Sequence, residues 1–235
     1  NIEVNVAGGI LPFTYDWTPG GMTANNVNVN PAFTTTYSVT ITDKMGCTSS
    51  DEVIVVVSNP IADAGIDDTI CIGDITNIEV NVAGGILPFT YDWTPGGMTT
   101  NNVSVNPAVT TTYSVTVTDK MGCTSSDEVI VVVSDPIADA GIDDTICIGN
   151  TTNLVVNVSG GILPFTYDWT PGGMTANNVN VNPAITTTYS VTVTDKMGCT
   201  SSDEVIVVVS NPIADAGIDD TICIGNTTNL VVNVS

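Results

Sequence analysis

Cysteine and aspartate are the residue types in this sequence whose spacing could support chemistry beyond packing. Six cysteines occupy two kinds of position, one before an Ile-Gly pair and one after a Met-Gly pair. The first kind is Cys71, Cys147 and Cys223, and the second is Cys47, Cys123 and Cys199. No Cys-x-x-Cys pair occurs, so zinc is not indicated. Small secreted domains use paired cysteines as disulfides, and we therefore expect these to be oxidised.

Aspartates recur in clusters that precede the first kind of cysteine. The three clusters are Asp63, Asp67 and Asp68, then Asp139, Asp143 and Asp144, and finally Asp215, Asp219 and Asp220. Hard carboxylate oxygens close to a domain joint suit Ca²⁺, although this spacing matches no known calcium loop such as the EF-hand. Surface charge alone is the favoured interpretation of these clusters, calcium binding is the alternative, and no other cofactor is expected.

Composition excludes several classes of function. The chain has 25 acidic residues, 3 Lys or Arg and no His, which gives a net charge of −22. Nucleic-acid binding needs basic contacts to phosphates, and anionic membrane surfaces attract basic segments, so neither is expected as a partner. An enzyme is not expected either, because a triad or general base would normally use His. No apolar run approaches the roughly 20 residues of a membrane span.

The chain is built from near copies of one unit. Nearly the same seven-residue sequence begins at Asn1, Asn77, Asn153 and Asn229, so the period is 76 residues. Asn-Pro or Asp-Pro steps mark the natural boundaries, because proline removes a ladder donor and stiffens the joint. We predict a partial repeat lacking its first strand at 1–59, complete repeats at 60–135 and 136–211, and the start of another at 212–235. The chain is expected to be a window of a longer array.

Each unit reads as a set of short strands. Residues 77–83 alternate between apolar and polar side chains, as expected of a half-buried strand. Phe89, Tyr91 and Trp93 share one face of another strand, and we predict that Trp93 lies in the core. Residues 61–71 predict a first strand that breaks near Gly65. No segment has helical periodicity, so six or seven strands per unit imply a small antiparallel β-sandwich.

Apolar residues also occur in a loop between two of these strands. Apolar loop residues are best explained by burial, here against the preceding domain and its proline linker. We therefore predict a rod-like array with inter-domain contacts at Ile86, Leu87, Pro88, Ile162, Leu163 and Pro164.

Disulfide pairing has two alternatives. The default is pairing within a unit, which gives Cys71–Cys123 and Cys147–Cys199. Counting strand directions places Cys71 and Cys123 at opposite ends of a domain, roughly 25–30 Å apart, whereas a disulfide needs Cα atoms within about 7 Å. Head-to-tail stacking would instead bring Cys71 close to Cys199, and this inter-domain pair is slightly favoured. The other cysteines would then find partners outside this chain.

Two motifs resemble a known family. The sequences GGILPFTYDW at 84–93 and TTTYSVTVTDKMGC at 110–123 resemble the SprB-type repeat of adhesins of gliding Bacteroidota. The sequence ADAGIDDTICIG at 62–73 resembles the PKD-like, immunoglobulin-like repeats of the same surface proteins, and the likeness departs in the middle of the unit. The resemblance implies an all-β tandem array of small β-sandwich domains. It also implies an extracellular, cell-surface protein exported by a type IX system.

The same resemblance suggests a modification. Asp-Thr-Ile is similar to the O-glycosylation signal of Bacteroidota, which would place sugar on Thr69, Thr145 and Thr221. An ordinary edge-strand threonine is the alternative.

Three functions remain open after these observations. The leading one is the structural stalk of a cell-surface adhesin filament that serves surface attachment or gliding motility. Its repeats would contact one another, while other parts bind an external surface or glycan. The second is a set of repeats that bind glycan or substratum themselves by avidity. The third is a laterally self-assembling extracellular fibre, which would need unprotected strand edges.

Overall fold

The computed structural model describes residues 1–234, and the regular secondary structure found there consists of β-strands. Over that range, no helix long and apolar enough to cross a membrane is found. The chain forms two compact units. One contains Asn1–Ile66, Asn77–Val103 and Thr112–Val129, and the other contains Asp67–Thr76, Ser104–Thr111 and the chain from Ile130 onward. The predicted domain boundaries stay predictions, and the last residue of the segment 212–235, Ser235, lies outside the described residues.

The strands are short and recur with the sequence period. Residues 1–59 contain β1 (Ile2–Glu3), β2 (Thr14–Thr18), β3 (Asn26–Val27), β4 (Thr35–Thr42) and β5 (Thr48–Val55). Residues 60–135 contain β6 (Ile61–Asp63), β7 (Asp68–Cys71), β8 (Thr76–Glu79), β9 (Asn81–Ala83), β10 (Thr90–Thr94), β11 (Asn102–Val105), β12 (Thr111–Thr118) and β13 (Thr124–Ser134). Residues 136–211 contain β14 (Ile137–Asp139), β15 (Asp144–Cys147), β16 (Thr152–Val155), β17 (Asn157–Ser159), β18 (Thr166–Thr170), β19 (Asn178–Val181), β20 (Thr187–Thr194) and β21 (Thr200–Ser210). The last two strands are β22 (Ala214–Asp215) and β23 (Asn233–Val234).

Residues 136–211, in the second unit, form a sandwich. One layer is a four-stranded sheet in the order β15-β21-β20-β18, and the others are the pairs β14-β17 and β16-β19. Strand β20 alternates between Tyr and Val on one face and Ser and Thr on the other, and its Tyr and Val side chains are buried. This period-2 alternation places the apolar face of the strand against the core. The fold is therefore all-β, as predicted.

Tryptophan lies at the centre of each repeat. Trp169 on β18 is opposite Val191 on β20 and is fully buried among the other core side chains. Its indole Nε1 donates a hydrogen bond to the carbonyl oxygen of Ala176 at 3.0 Å. The equivalent Trp93 is also fully buried, as predicted from the strand face that it shares with Phe89 and Tyr91. Burying the ring while pairing its N–H avoids the cost of an unsatisfied donor.

The first strand of repeat 60–135 is split in two, which agrees with the predicted break near Gly65. Strand β6 pairs antiparallel with β9, whereas β7 pairs parallel with β13. The parallel pairing differs from the expected antiparallel sandwich. The same pairing occurs in repeat 136–211, where Ala138 and Ala140 donate to Ser201 and Asp203 before β15 pairs with β21, so the split first strand follows β21 in one direction.

Residues 1–59, in the first unit, form a smaller version of this sandwich. The main sheet has three strands in the order β2-β4-β5, and β1 pairs with β3. The core contains Trp17, Val27, Tyr37 and Val39. Trp17 is only 1% exposed, so the centre of this repeat is as well buried as that of the others.

Candidate functional site: the joints between repeats

A buried carboxylate and a buried hydroxyl meet where repeat 60–135 joins repeat 136–211, within the second unit. Ser134 is the last residue of β13, and Asp195 begins the hairpin between β20 and β21. The Ser134 hydroxyl donates a hydrogen bond to Oδ2 of Asp195. Both side chains are almost completely removed from solvent. One hydrogen bond therefore links the end of one repeat to the hairpin of the next.

Asp195 is also held by the backbone of its own repeat. Its Oδ2 accepts from the amide of Ile162 at 3.1 Å, and its Oδ1 accepts from the amides of Met197 at 2.8 Å and Cys199 at 2.9 Å. Burial on its own would raise the pKa of Asp195, but the hydrogen bonds from Ser134 and these amides outweigh it, so the pKa lies below its ordinary value. Hydrogen bonds to the charged form have this effect, and Asp195 is ionised at neutral pH.

The joint between repeats 1–59 and 60–135, within the first unit, has the same arrangement. The hydroxyl of Ser58 donates to Asp119, which also accepts from the amides of Ile86, Met121 and Cys123. The bond from Ser58 is the main reason that the pKa of Asp119 is lowered. The serine–aspartate contact is therefore a recurring feature of the chain.

A disulfide joins the same two repeats at the second joint. Cys71 and Cys199 are bonded with a Cα–Cα distance of 5.4 Å. Cys71 lies beside Ser134 in the parallel β7–β13 ladder, and the amide of Ile72 donates to the Ser134 carbonyl at 3.0 Å. On the other side of the joint, Cys199 donates its amide to Asp195. The covalent link and the hydrogen bond thus reinforce a single joint.

This pairing is the inter-domain alternative. The intra-domain pairs Cys71–Cys123 and Cys147–Cys199 do not form, and both Cys123 and Cys147 are free thiols. The reason is strand direction. Cys123 directly precedes β13, whereas Cys71 pairs with Ser134 at the other end of β13. At about 3.3 Å per residue, the length of β13 separates the two.

The predicted loop contact is largely wrong. Leu87 and Leu163 are 71% and 72% exposed, and Pro88 and Pro164 are exposed as well. Of the six predicted contact residues, only Ile86 and Ile162 are half-buried, and their amides donate to the joint aspartates.

Glycines make the close approach that was expected of the leucines. A Cβ added to Gly84 would lie 2.5 Å from the carbonyl oxygen of Asn59, and one added to Gly160 would clash with the carbonyl oxygen of Asp135. The backbone before the loop therefore packs directly against the linker between repeats. Because the contact is made by main chain, the apolar tip of the loop extends past it into solvent.

The aspartates considered for calcium make hydrogen bonds to the backbone. Asp63, Asp67 and Asp68 accept hydrogen bonds from the amides of Gly65, Ile130 and Thr69, respectively. In the next repeat Asp139, Asp143 and Asp144 accept from the amides of Gly141, Ile206 and Thr145, respectively. Over the described residues, no group of three or more acidic, His or Cys side chains is placed to hold a metal ion. Calcium binding stays a prediction.

The threonines considered for glycosylation have different environments. Thr69 is half-buried on β7, whereas Thr145 on β15 and Thr221 are exposed. Glycosylation also stays a prediction.

The serine–aspartate pair was not predicted from the sequence. By sequence alone, Asp119 is typical of a hairpin turn, and Ser58 and Ser134 directly precede the Asn-Pro and Asp-Pro steps at the predicted boundaries. Their partners are 61 residues apart in the chain, so no local pattern connects them. The available signal was that both residues recur with the period of the repeat.

Residues 141–174 match the SprB repeat family. The matched range contains the motif GGILPFTYDW at 160–169. The match confirms the resemblance predicted from the sequence and supports an extracellular adhesin-type repeat region. None of the curated proteins matches the chain in sequence.

Several solved structures of tandem immunoglobulin-like or cadherin domains are similar to the chain. Three N-terminal domains of the bacteriophage RB49 Hoc capsid protein share 14% identity at a TM-score of 0.49, covering 88% of this chain and 92% of that one. DIP-gamma IG1+IG2 shares 11% identity at a TM-score of 0.42, covering 64% of this chain and 97% of that one. A mouse cadherin-23 fragment shares 16% identity at a TM-score of 0.36, covering 85% and 86%. Likenesses this distant do not indicate what the chain binds.

Proposed function

We infer that the chain is a non-catalytic, extracellular repeat region of an adhesin, and that its repeats act as a structural stalk. The observation that supports this role most directly is the double linkage at one joint. Cys71–Cys199 and Ser134–Asp195 connect the same two repeats. A stalk has to transmit force from one repeat to the next, and linkages at the joints serve that purpose.

The disulfide also changes the path of the force. It spans a sequence separation of 128 residues, so tension applied to the chain ends would bypass the segment between Cys71 and Cys199. At roughly 3.5 Å per residue, that segment corresponds to about 450 Å of chain that cannot extend while the bond is intact. Repeats shielded in this way would keep their length under load.

Single-molecule pulling on the two chain ends tests this role. We expect the oxidised chain to release about 450 Å less contour length than the reduced chain. Cys71→Ser should behave like the reduced chain, and Cys47→Ser should behave like the oxidised one because Cys47 is unpaired. Equal contour lengths for the oxidised and reduced chains would contradict the proposed role of the disulfide in transmitting force.

A second candidate is binding of glycan or substratum by the repeats themselves. Its supporting observation is the exposed leucine in the corresponding loop of each repeat, namely Leu11, Leu87 and Leu163. A surface-binding assay with the intact chain and with these leucines changed to Asp distinguishes the two roles. Adhesion that depends on the leucines would favour binding, whereas no adhesion by either form would favour the stalk. On the stalk proposal, external surfaces or glycans are bound by other parts of the protein.

Gliding motility and type IX export are proposed only from the resemblance to SprB-type repeats. The joints have no direct bearing on either.

A further inference from the structure

Basic residues are confined to one position in each repeat. The chain contains 3 Lys or Arg residues, and all of them are lysines, Lys44, Lys120 and Lys196, each followed by Met-Gly-Cys. The side chains of Lys120 and Lys196 are exposed, as are those of Met121 and Met197. Exposed loop tips are the preferred sites of proteolytic cleavage. A protease that cleaves after basic residues would therefore attack each complete repeat at a single peptide bond.

The bond between Lys196 and Met197 lies at the centre of a closed turn. The amide of Gly198 donates to the carbonyl oxygen of Asp195 at 3.1 Å, which closes the turn around this bond. The Lys196 amide donates to the carbonyl oxygen of Ile162 at 2.9 Å, and the Met197 amide donates to Oδ1 of Asp195 at 2.8 Å. Proteases bind the segment that they cleave as an extended chain, so these hydrogen bonds must break before cleavage can occur.

The preceding repeat holds this turn closed. The Ser134 hydroxyl donates to the carboxylate of Asp195, and Cys199, the residue after the turn, is bonded to Cys71. Ser134 and Cys71 both belong to repeat 60–135. Opening the turn far enough for a protease would strain both contacts, because Asp195 begins the turn and Cys199 follows it.

The equivalent turn of repeat 60–135 has its own contact with the repeat before it. The amide of Lys120 donates to the carbonyl oxygen of Ile86 at 2.9 Å, and the amide of Met121 donates to Oδ1 of Asp119 at 2.8 Å. The carboxylate of Asp119 accepts a hydrogen bond from the hydroxyl of Ser58, which belongs to repeat 1–59. A different serine therefore secures each turn, and the two turns can be opened separately.

We propose that the bonds Lys120–Met121 and Lys196–Met197 are latent cleavage sites for a lysine-directed serine protease, closed while the preceding repeat is docked and accessible once that joint opens. The serine of the preceding repeat holds the aspartate, and the aspartate holds the amide of the bond to be cleaved. Intact joints are thereby spared, and a joint that has come apart is marked for removal. This control does not depend on whether the repeats carry load.

The cleavage itself is a hydrolysis. The amide C–N bond between lysine and methionine breaks, the hydroxyl of a water molecule adds to the lysine carbonyl carbon, and the remaining proton of the water goes to the methionine nitrogen. Water and the protease are the only co-reactants, so neither an oxidant nor a reductant is needed.

Limited digestion of the full-length, oxidised chain with trypsin tests the proposal. Peptide mass spectrometry after reduction gives the initial rate of cleavage at each lysine. A synthetic peptide of residues 190–203 is the open reference, and the parent chain should be cleaved at Lys196 more slowly than this peptide. Because proteolysis follows the population of the opened segment, we expect Ser134→Ala to raise the rate at Lys196 by about fivefold and to leave the rate at Lys120 unchanged. Ser58→Ala should do the reverse.

A third variant tests the covalent contact. Cys71→Ser removes the disulfide and should raise the rate at Lys196 alone, by at least as much as Ser134→Ala does. The Cys71–Cys199 linked peptide shows that each serine variant has folded. Three results would overturn the proposal. They are a parent chain cleaved at Lys196 as fast as the peptide, serine variants in which both rates change together or not at all, and a Cys71→Ser chain with the parental rate at Lys196.

Discussion

Residues 34–58 and 186–210 differ only at Ile41 and Val193, yet they have different environments. Cys47 is exposed and unpaired, whereas Cys199 is 3% exposed and bonded to Cys71. Among the described residues, Asp43 accepts hydrogen bonds only from backbone amides. Asp195 also accepts a hydrogen bond from the Ser134 hydroxyl. The burial and the bonding partners of this hairpin are therefore determined by the segment that packs against it.

The cores do not show this difference. Trp17 and Trp169 are 1% and 0% exposed, although one lies in the smaller sandwich. Each repeat completes its own centre, whereas the surfaces at its ends are completed by another segment. Stability that is local to a repeat can thus be separated experimentally from stability that comes from a joint.

The largest effect is expected from the local core. Trp17→Ala and Trp169→Ala should each lower the free energy of unfolding of the affected repeat by about 3–5 kcal/mol, because both remove a fully buried ring. Val109→Ala, at a 70% exposed position, is the control and should change little. Denaturant unfolding monitored by hydrogen exchange would resolve the repeats. A much smaller loss for Trp17 would show that the first core depends on its surroundings.

The next largest effect is a difference in stability between variants of the equivalent cysteines in the two hairpins, Cys199 and Cys47. Cys199→Ser should lower stability by about 2–5 kcal/mol, because the disulfide restricts the unfolded chain over a long loop. Cys47→Ser should be nearly neutral, because Cys47 has no disulfide partner. Thermal unfolding under non-reducing conditions measures both. If a reductant lowered the melting temperature of Cys199→Ser as much as that of the parent, the disulfide would not be the source of the loss.

A glycine pair isolates the backbone contact of a joint. Gly8 and Gly160 are equivalent and have positive φ values of 81° and 65°, so alanine is strained at either position. A Cβ at Gly8 meets nothing within 4 Å, whereas one at Gly160 would clash with the carbonyl oxygen of Asp135. Gly160→Ala should therefore cost about 1–3 kcal/mol more than Gly8→Ala, as overpacking typically does. Equal losses in melting experiments would mean that the linker can move away.

Sequence reasoning succeeded where a pattern is local or strictly periodic. Alternation around Tyr91 and Trp93 predicted a buried tryptophan, and counting strand directions favoured Cys71–Cys199 over the intra-domain pairs. Both inferences needed only the directions in which side chains and strands run.

It failed where contacts depend on the detailed approach of two repeats. Leu87 was predicted to be buried because it is apolar, but the backbone at Gly84 makes the close contact and leaves the leucine outside. The Ser134–Asp195 bond was missed because each residue is typical of a turn or linker on its own. Only the three-dimensional placement of the joint shows that they are partners.

The smallest effect concerns that bond and its dependence on pH. Burial acts to raise the pKa of Asp195, and the Ser134 hydroxyl is the largest of the hydrogen bonds that lower it. Because the folded-state pKa is below the unfolded value of about 4, ionised Asp195 contributes stability above that pH, and the contribution is lost as the pH falls through the folded-state pKa.

Ser134→Ala removes one donor, so the pKa of Asp195 should rise and the contribution should shrink. The loss should be about 1 kcal/mol at pH 7 and should become smaller as the pH falls through the folded-state pKa of Asp195. Ser210→Ala is the matched control, since the equivalent Ser210 is exposed. Melting temperatures measured as the pH is lowered, with an NMR titration of Asp195, give both quantities. A loss that is independent of pH would mean that Ser134 stabilises the joint by packing and not through the carboxylate.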